Sequence, residues 1–277
     1  MDHQVSRSVI EHPLVKHVQF TGSVKSGLAV NQLASARLVS VGLELGGNDA
    51  AFVRHDADPI NAAENLVDGA MYNSGQSCCG IQRIFVHSAI FDQFLAHAQK
   101  VTEGYVLGSP LEPDSTLGPV INTQSAEAIR EMVDEAIAAG ATPLIKESLF
   151  PKSKRGTAYV APQLLVNVHE GMRIMKEECF GPVAVICKVD SDQQAIAMIN
   201  DCDFGLTASI WTKDVETAEK LGHEIQVGTV LVNRCDYVDP GLPWIGVKQS
   251  GKGCSLSSFG FDALTRPKGY HIKNHTA

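Results

Sequence analysis

Apolar positions along this 277-residue chain alternate between two periods. Val18–Phe20, Ala51–Val53, Ile84–Val86, Val183–Val189 and Thr229–Val232 have the length and β-branched content of strands. Elsewhere the spacing is helical. Ile60, Ala63, Val67, Ala70 and Met71 share one face, behind Asp58 as N-cap and Pro59 in the first turn. Ala126–Ala139 reads as a second helix closed by Gly140, and Lys25–Ala36, Asp192–Asn200 and Val215–Leu221 as three more. Strands alternating with helices predict an α/β fold around a parallel sheet.

The pattern is uneven at the start. Residues 1–17 hold little apolar material, and the first strand begins abruptly at Val18. A parallel sheet buries both faces and needs several neighbouring strands. Residues 1–43 offer about two strands and one helix, too few to close a core alone. The expectation is a domain whose first part is not in this chain.

Composition adds exclusions. The chain is 44% hydrophobic and 19% charged, with a formal net charge of −8 and no long Lys/Arg run. That balance points away from nucleic acid and from an anionic membrane as partners. No apolar stretch approaches bilayer-spanning length, and Met1–Val9 lack the basic-then-apolar order of a secretion signal. The expected setting is cytoplasmic. Seven cysteines, an odd number without a Cys-x-x-Cys pair, suggest neither a disulfide framework nor a metal site.

Four segments carry candidate chemistry. Phe20-Thr21-Gly22-Ser23 joins a strand to a helix, where free backbone N–H groups and the helix dipole can hold a phosphate. A plain β-to-α turn would look the same. Glu44-Leu45-Gly46-Gly47 ends an apolar run; a carboxylate there can act as a general base if partly desolvated, or can be a solvated acid at a strand end. Gly75-Gln76-Ser77-Cys78-Cys79-Gly80 lies between a helix and a strand, where a thiolate could reach a substrate. Two buried thiols are the alternative. Glu177-Glu178-Cys179-Phe180-Gly181-Pro182 precedes the long strand Val183–Val189 and could contact a ribose and a flat ring, or simply turn into the strand.

Their order, and the step of 34 residues from Glu44 to Cys78, resemble the aldehyde dehydrogenase superfamily. Further similarity lies in Asn200-Asp201-Cys202-Asp203-Phe204-Gly205-Leu206, in Gly228-Thr229-Val230 leading to Asn233, and in Pro243-Trp244-Ile245-Gly246-Val247-Lys248-Gln249-Ser250-Gly251. The resemblance runs from about Glu11 to Lys273. It implies an aldehyde dehydrogenase-like catalytic domain over residues 45–234, after a partial Rossmann-like cofactor domain in residues 1–44. A carboxy-terminal segment, residues 235–277, would include an oligomerisation-type strand near Thr265–Lys273.

The resemblance also implies roles. Cys78 matches the nucleophile, with Cys79 as its silent neighbour, and Glu44 matches the general base. Gly22 and Ser23 match positions at the cofactor pyrophosphate, and Leu45 a residue whose backbone faces the nicotinamide. Glu178 matches the acid at the nicotinamide ribose, with Phe180 beside the ring; Asn233 matches an Asn of the active-site region. The implied cofactor is NAD or NADP, the substrate a small aldehyde, and the assembly a homo-oligomer. Relatives carry most of the cofactor domain, and an Asn of the oxyanion hole, upstream of the first motif, so the resemblance implies an amino-terminally truncated member. Asn48 and Trp244-Ile245 depart from the family pattern. The rival reading is a non-catalytic remnant acting as an interaction module with a longer relative.

Overall fold

The computed structural model describes residues 3–274. Its helices are α1 (His3–Ile10), α2 (Val24–Ser35), α3 (Pro59–Met71), α4 (Phe91–Glu103), α5 (Thr123–Ala138), α6 (Asp192–Asn200), α7 (Val215–Gly222) and α8 (Ser257–Leu264). The strands are β1 (His17–Thr21), β2 (Ser40–Glu44), β3 (Asp49–Val53), β4 (Ile81–His87), β5 (Thr142–Pro143), β6 (Gln163–Val166) and β7 (Val183–Val189). They continue with β8 (Phe204–Gly205), β9 (Thr207–Trp211), β10 (Thr229–Val232), β11 (Val247–Lys248) and β12 (Gly251–Lys252).

The main sheet has seven strands in the order β10-β9-β3-β4-β7-β6-β5. Every pairing is parallel except that of the edge strand β5 with β6. Strand alternation sorts its side chains into two cores. Ala50, Phe52, Phe85, Val183 and Val185 point to a face covered by Ile129 and Met132 of α5, Ile196 of α6 and Leu221 of α7. Ala51, Val53, Ile84, Val86 and Ile186 point the other way, against Leu66 and Val67 of α3 and Phe94 and Ala98 of α4. The α/β expectation holds, with helices on both faces.

A second, smaller sheet has the order β1-β2-β12. β1 and β2 run parallel, His17 opposite Ser40 through Thr21 opposite Glu44. This part is thin: β1 has no fully buried residue, and Leu14, Leu28 and Leu38 stand exposed. The chain passes from this sheet to the main one between Glu44 and Asp49 and returns at β12, which pairs antiparallel with β2. The carboxy-terminal segment is therefore stitched to β2.

One expectation needs correction. The strand near Thr265–Lys273 is not formed: residues 265–274 take neither helical nor strand structure. A strand requires a neighbour for its N–H and C=O groups, and no described segment pairs with this one. Residues 3–10, in the stretch that holds little apolar material, form α1, a largely exposed helix that buries Ile10.

Candidate active site

The Cys78 loop is held in a shape that ordinary sequence would resist. After α3, Asn73, Ser74 and Gly75 adopt φ of 49°, 58° and 72° in succession. Left-handed backbone at two non-glycine residues is costly, so it requires anchors. Ser74 Oγ donates to the Gly118 carbonyl (2.9 Å), and Gln76 Nε2 donates to the Asn73 carbonyl (2.9 Å). Gln76 Oε1 accepts from the Ile121 N–H at 2.7 Å. At Gly75, a β-carbon would lie 1.9 Å from the Gly181 carbonyl oxygen, so the loop rests on the Phe180-Gly181-Pro182 segment. Only glycine meets both conditions.

The loop also lies against Gly46-Gly47. A β-carbon on Gly47 would sit 2.2 Å from the Cys78 carbonyl oxygen, and one on Gly46 would sit 2.3 Å from a Glu178 carboxylate oxygen. The Gly47 N–H donates to Glu178 Oε1 at 2.9 Å. Three sequence motifs thus meet at one glycine pair. Asn48, next in the chain, is buried; its Nδ2 donates to the Glu177 carbonyl (3.1 Å) while its Oδ1 has no partner.

Glu44 ends β2, half-buried. Ser255 Oγ donates to its Oε1 at 2.7 Å, while Oε2 is buried without a hydrogen-bond partner. Burial raises its pKa, opposed by the Ser255 bond and by Trp244. Glu178 is raised further, to about 7, by burial against the Gly47 N–H.

Cys78 is half-buried, and its thiol is lowered from the ordinary value. The Cys79 thiol as hydrogen-bond partner is the main cause, helped by the Cys78 backbone N–H; burial and the charges of Glu178 and Glu44 oppose it. Cys79 moves up, through the same contact and through burial. Cys79 Sγ also donates to Asp236 Oδ1 at 3.1 Å, an oxygen that Ser77 Oγ reaches at 2.9 Å. Cys79 has one proton, so its bond to Asp236 and its bond to Cys78 draw on the same S–H. Burial pushes Cys179, Cys187 and Cys235 up to about 12. Cys79, Leu206 and Trp244 form an apolar wall with Cys78 and Leu256 against it.

Gly22 and Ser23 lie between β1 and α2. The Gly22 N–H donates to the Glu44 carbonyl (3.1 Å), which ties this turn to the end of β2. Ser23 caps α2, its Oγ accepting from the Ser26 N–H at 3.3 Å. Leu45 is buried, its N–H on the Ser250 carbonyl (2.9 Å) and its side chain against Gly27 of α2. Phe180, at φ 50°, is 42% exposed beside Glu178. Asn233 is used differently: its Oδ1 accepts from the Thr212 N–H and its Nδ2 donates to the Thr212 carbonyl, both at 2.9 Å. That double bond to one backbone unit joins the ends of β9 and β10.

Ser77, Asp236 and Ser255 escaped the sequence reading. Each is a polar residue in a turn without periodicity, and the contacts to Asp236 and from Ser255 span 159 and 211 residues.

Comparison with known proteins identifies the family of the chain. The profile of the aldehyde dehydrogenase family matches residues 1–269. An aldehyde dehydrogenase-like protein of Schizosaccharomyces pombe is 35% identical over 263 residues, covering 95% of this chain and 53% of its own length. A benzaldehyde dehydrogenase of Bacillus subtilis is 35% identical over 272 residues, covering 98% and 55%. The crystal structure of an NADP-dependent glyceraldehyde-3-phosphate dehydrogenase from Bacillus halodurans, complexed with NADP, superposes with a TM-score of 0.87 at 37% identity, over 95% of this chain and 53% of that one. The chain spans about half the length of the curated relatives it matches.

Proposed function

This chain belongs to the aldehyde dehydrogenase family, and we propose that it carries the nucleophile, Cys78, and the general base, Glu44, for oxidation of an aldehyde to a carboxylic acid with NAD or NADP. The observation that carries the reading is the pairing of a half-buried thiol, on a loop packed against Gly47, with a carboxylate that keeps one buried oxygen unpartnered. The two lie on segments that Gly47 brings together.

In this reading the Cys78 thiolate adds to the aldehyde carbon. A C–S bond forms, and the carbonyl π pair moves to oxygen, where the Cys78 backbone N–H is a candidate donor. A bound NAD or NADP would supply the hydride acceptor, and Cys78 holds the acyl group as a thioester once the hydride has left the carbon. Glu44 Oε2 then takes a proton from water as its oxygen attacks the thioester carbon; the C–S bond breaks, and Cys78 departs as thiolate. Residues present fit the pyrophosphate and nicotinamide end of such a dinucleotide. The turn at Gly22-Ser23 opens α2, a 12-residue helix whose first N–H groups suit a phosphate. Glu178, whose carboxylate reaches Gly46 and the Gly47 N–H, and the exposed Phe180 two residues on would face the ribose and the ring.

Hydrolysis of p-nitrophenyl acetate isolates the acyl-transfer half, which needs no dinucleotide. The chain is expected to show a burst of acylation followed by slower turnover. Cys78→Ser should remove both phases. Glu44→Gln should keep the burst and slow turnover about 100-fold or more, as loss of a general base does. A chain that is folded by circular dichroism yet inert would favour the interaction-module reading instead.

A further inference from the structure

The segment from Trp244 to Ser255 crosses back over the end of β2 and holds Glu44 at several points. Gly251 pairs with Glu44 and Lys252 with Leu43 in antiparallel register. The Leu45 N–H donates to the Ser250 carbonyl at 2.9 Å, so backbone on both sides of Glu44 is bound to the same strap. Ser255 is fixed in turn. The Trp244 N–H donates to its carbonyl at 2.7 Å and its own N–H donates to the Trp244 carbonyl at 2.9 Å. Immediately after it, Leu256 and Ser257 take φ of 62° and 51°, a sharp left-handed turn at two non-glycine residues.

We propose that Ser255 is a positioning residue for Glu44: carried on this strap, its hydroxyl fixes one carboxylate oxygen and leaves the other to the attacking water. The inference rests on Glu44 being the base. The terminal torsion of a glutamate is broad, so an unheld carboxylate exchanges its two oxygens freely. Here they are unlike. Oε1 takes the Ser255 hydroxyl at 2.7 Å, much closer than that hydroxyl's other acceptor, the Trp244 carbonyl at 3.5 Å. Oε2 is buried and has no partner. A buried acceptor left open in this way is costly unless something visits it.

The same bond favours the charged carboxylate and counters its burial. Few other charges bear on it. Cys78 faces it from the nucleophile loop, with Glu178 beyond. On the strap, Lys252 gives its ammonium to Asn31 Oδ1 at 2.6 Å, and the Cys254 thiol donates to the Ser255 carbonyl at 3.5 Å. The Ser255 hydroxyl is therefore the main polar support of the ionised base.

The test uses Ser255→Ala and Ser255→Thr in the whole chain, with p-nitrophenyl acetate as probe. For Ser255→Ala the burst should stay within about twofold of wild type, while deacylation at pH 7 falls about tenfold, the effect of losing one hydrogen bond to a charged group. Its pH midpoint should rise by about one unit, so that the deficit shrinks as pH rises past that midpoint. Ser255→Thr, which keeps the hydroxyl, should restore both. A purely structural role would instead lower burst and turnover together without moving the midpoint, and that result would overturn the proposal. A second readout does not depend on catalysis. The carboxyl titration of Glu44, followed by carbon-13 NMR against Glu44→Gln, should also move up in Ser255→Ala. An unmoved Glu44 titration sinks the role of Ser255. A moved titration in a chain without esterase activity would support the Ser255 contact and count against Glu44 as base.

Discussion

Glu178→Gln should make this protein more stable at alkaline pH and leave it unchanged in acid. Burial lifts the Glu178 carboxyl from 4.5 to about 7, with the Gly47 N–H opposing the lift. A carboxyl raised in the fold prefers to keep its proton there. Below pH 4.5 both folded and unfolded chains are protonated at this position, and burial carries no ionic penalty. As pH rises toward 7 the unfolded chain ionises first, and the fold loses stability; above 7 the loss is complete. The interval between 4.5 and about 7, at about 1.4 kcal/mol per pH unit, caps that loss at about 3.5 kcal/mol. The residue is only partly buried, so screening by water brings the expected figure to about 1–2 kcal/mol. Glutamine carries no charge at any of these pH values and can still accept from Gly47. Urea unfolding of the two proteins at pH 4.5, 6 and 8 should therefore give a stability difference that grows with pH and levels off above 7. All other titrating groups are shared and cancel. A difference that stays flat across this range would show that Glu178 is not held against its own ionisation, and the burial argument would fail.

Limiting iodoacetamide, with adducts mapped by mass spectrometry, should label Cys78 ahead of Cys79, whose thiol the Cys78 contact and burial push up; preferential labelling of Cys79 would reverse the assignment. Asp236→Ala leaves Ser77 and Cys79 without their shared acceptor and should cost about 1–2 kcal/mol in urea unfolding while raising Cys79 labelling. Unchanged stability and labelling would remove Asp236 from the loop's support. Gly47→Ala places a β-carbon 2.2 Å from the Cys78 carbonyl oxygen and should lower stability by about 1–3 kcal/mol. Wild-type stability and Cys78 reactivity in that variant would mean the motifs do not meet there.

What could be read from the sequence was what depends on neighbours in the chain. Asp58 does cap α3, its Oδ1 accepting from the Ile60 and Asn61 N–H groups at 3.0 and 3.2 Å. The apolar stripe that follows is buried through Ala63, Val67, Ala70 and Met71, but Ile60, in the first turn, stays 40% exposed. The start of α5 was set three residues late, at Ala126, because its apolar period begins there, whereas the capping residue is Asn122, which accepts from the Ser125 N–H at 2.8 Å. Helix α4 was missed although Phe91, Phe94, Ala98 and Thr102 are buried along one face. Periodicity locates a face, and it says nothing about which layer covers it.

The site divides along the same line, for a physical reason. Glycines at 46 and 47 are legible as points where backbones can approach closely and the chain can bend, and at all three of 46, 47 and 75 the close approach is what the fold uses. Each is small because another segment occupies the space: Glu178 at Gly46, the Cys78 carbonyl at Gly47 and the Gly181 carbonyl at Gly75. The motifs were recognisable one by one because such spaces tolerate no side chain, so the residue type survives as a local mark of a distant contact. Ser255 and Asp236 leave no such mark. A serine or an aspartate in a turn satisfies its own backbone as readily as a remote carboxylate or thiol, and only the fold decides which. Steric exclusion at the site can therefore be read from single residues, whereas the hydrogen bonds that orient Glu44 and hold the Cys78 loop exist only after β12 has paired with β2 and the turn after β10 has reached Ser77.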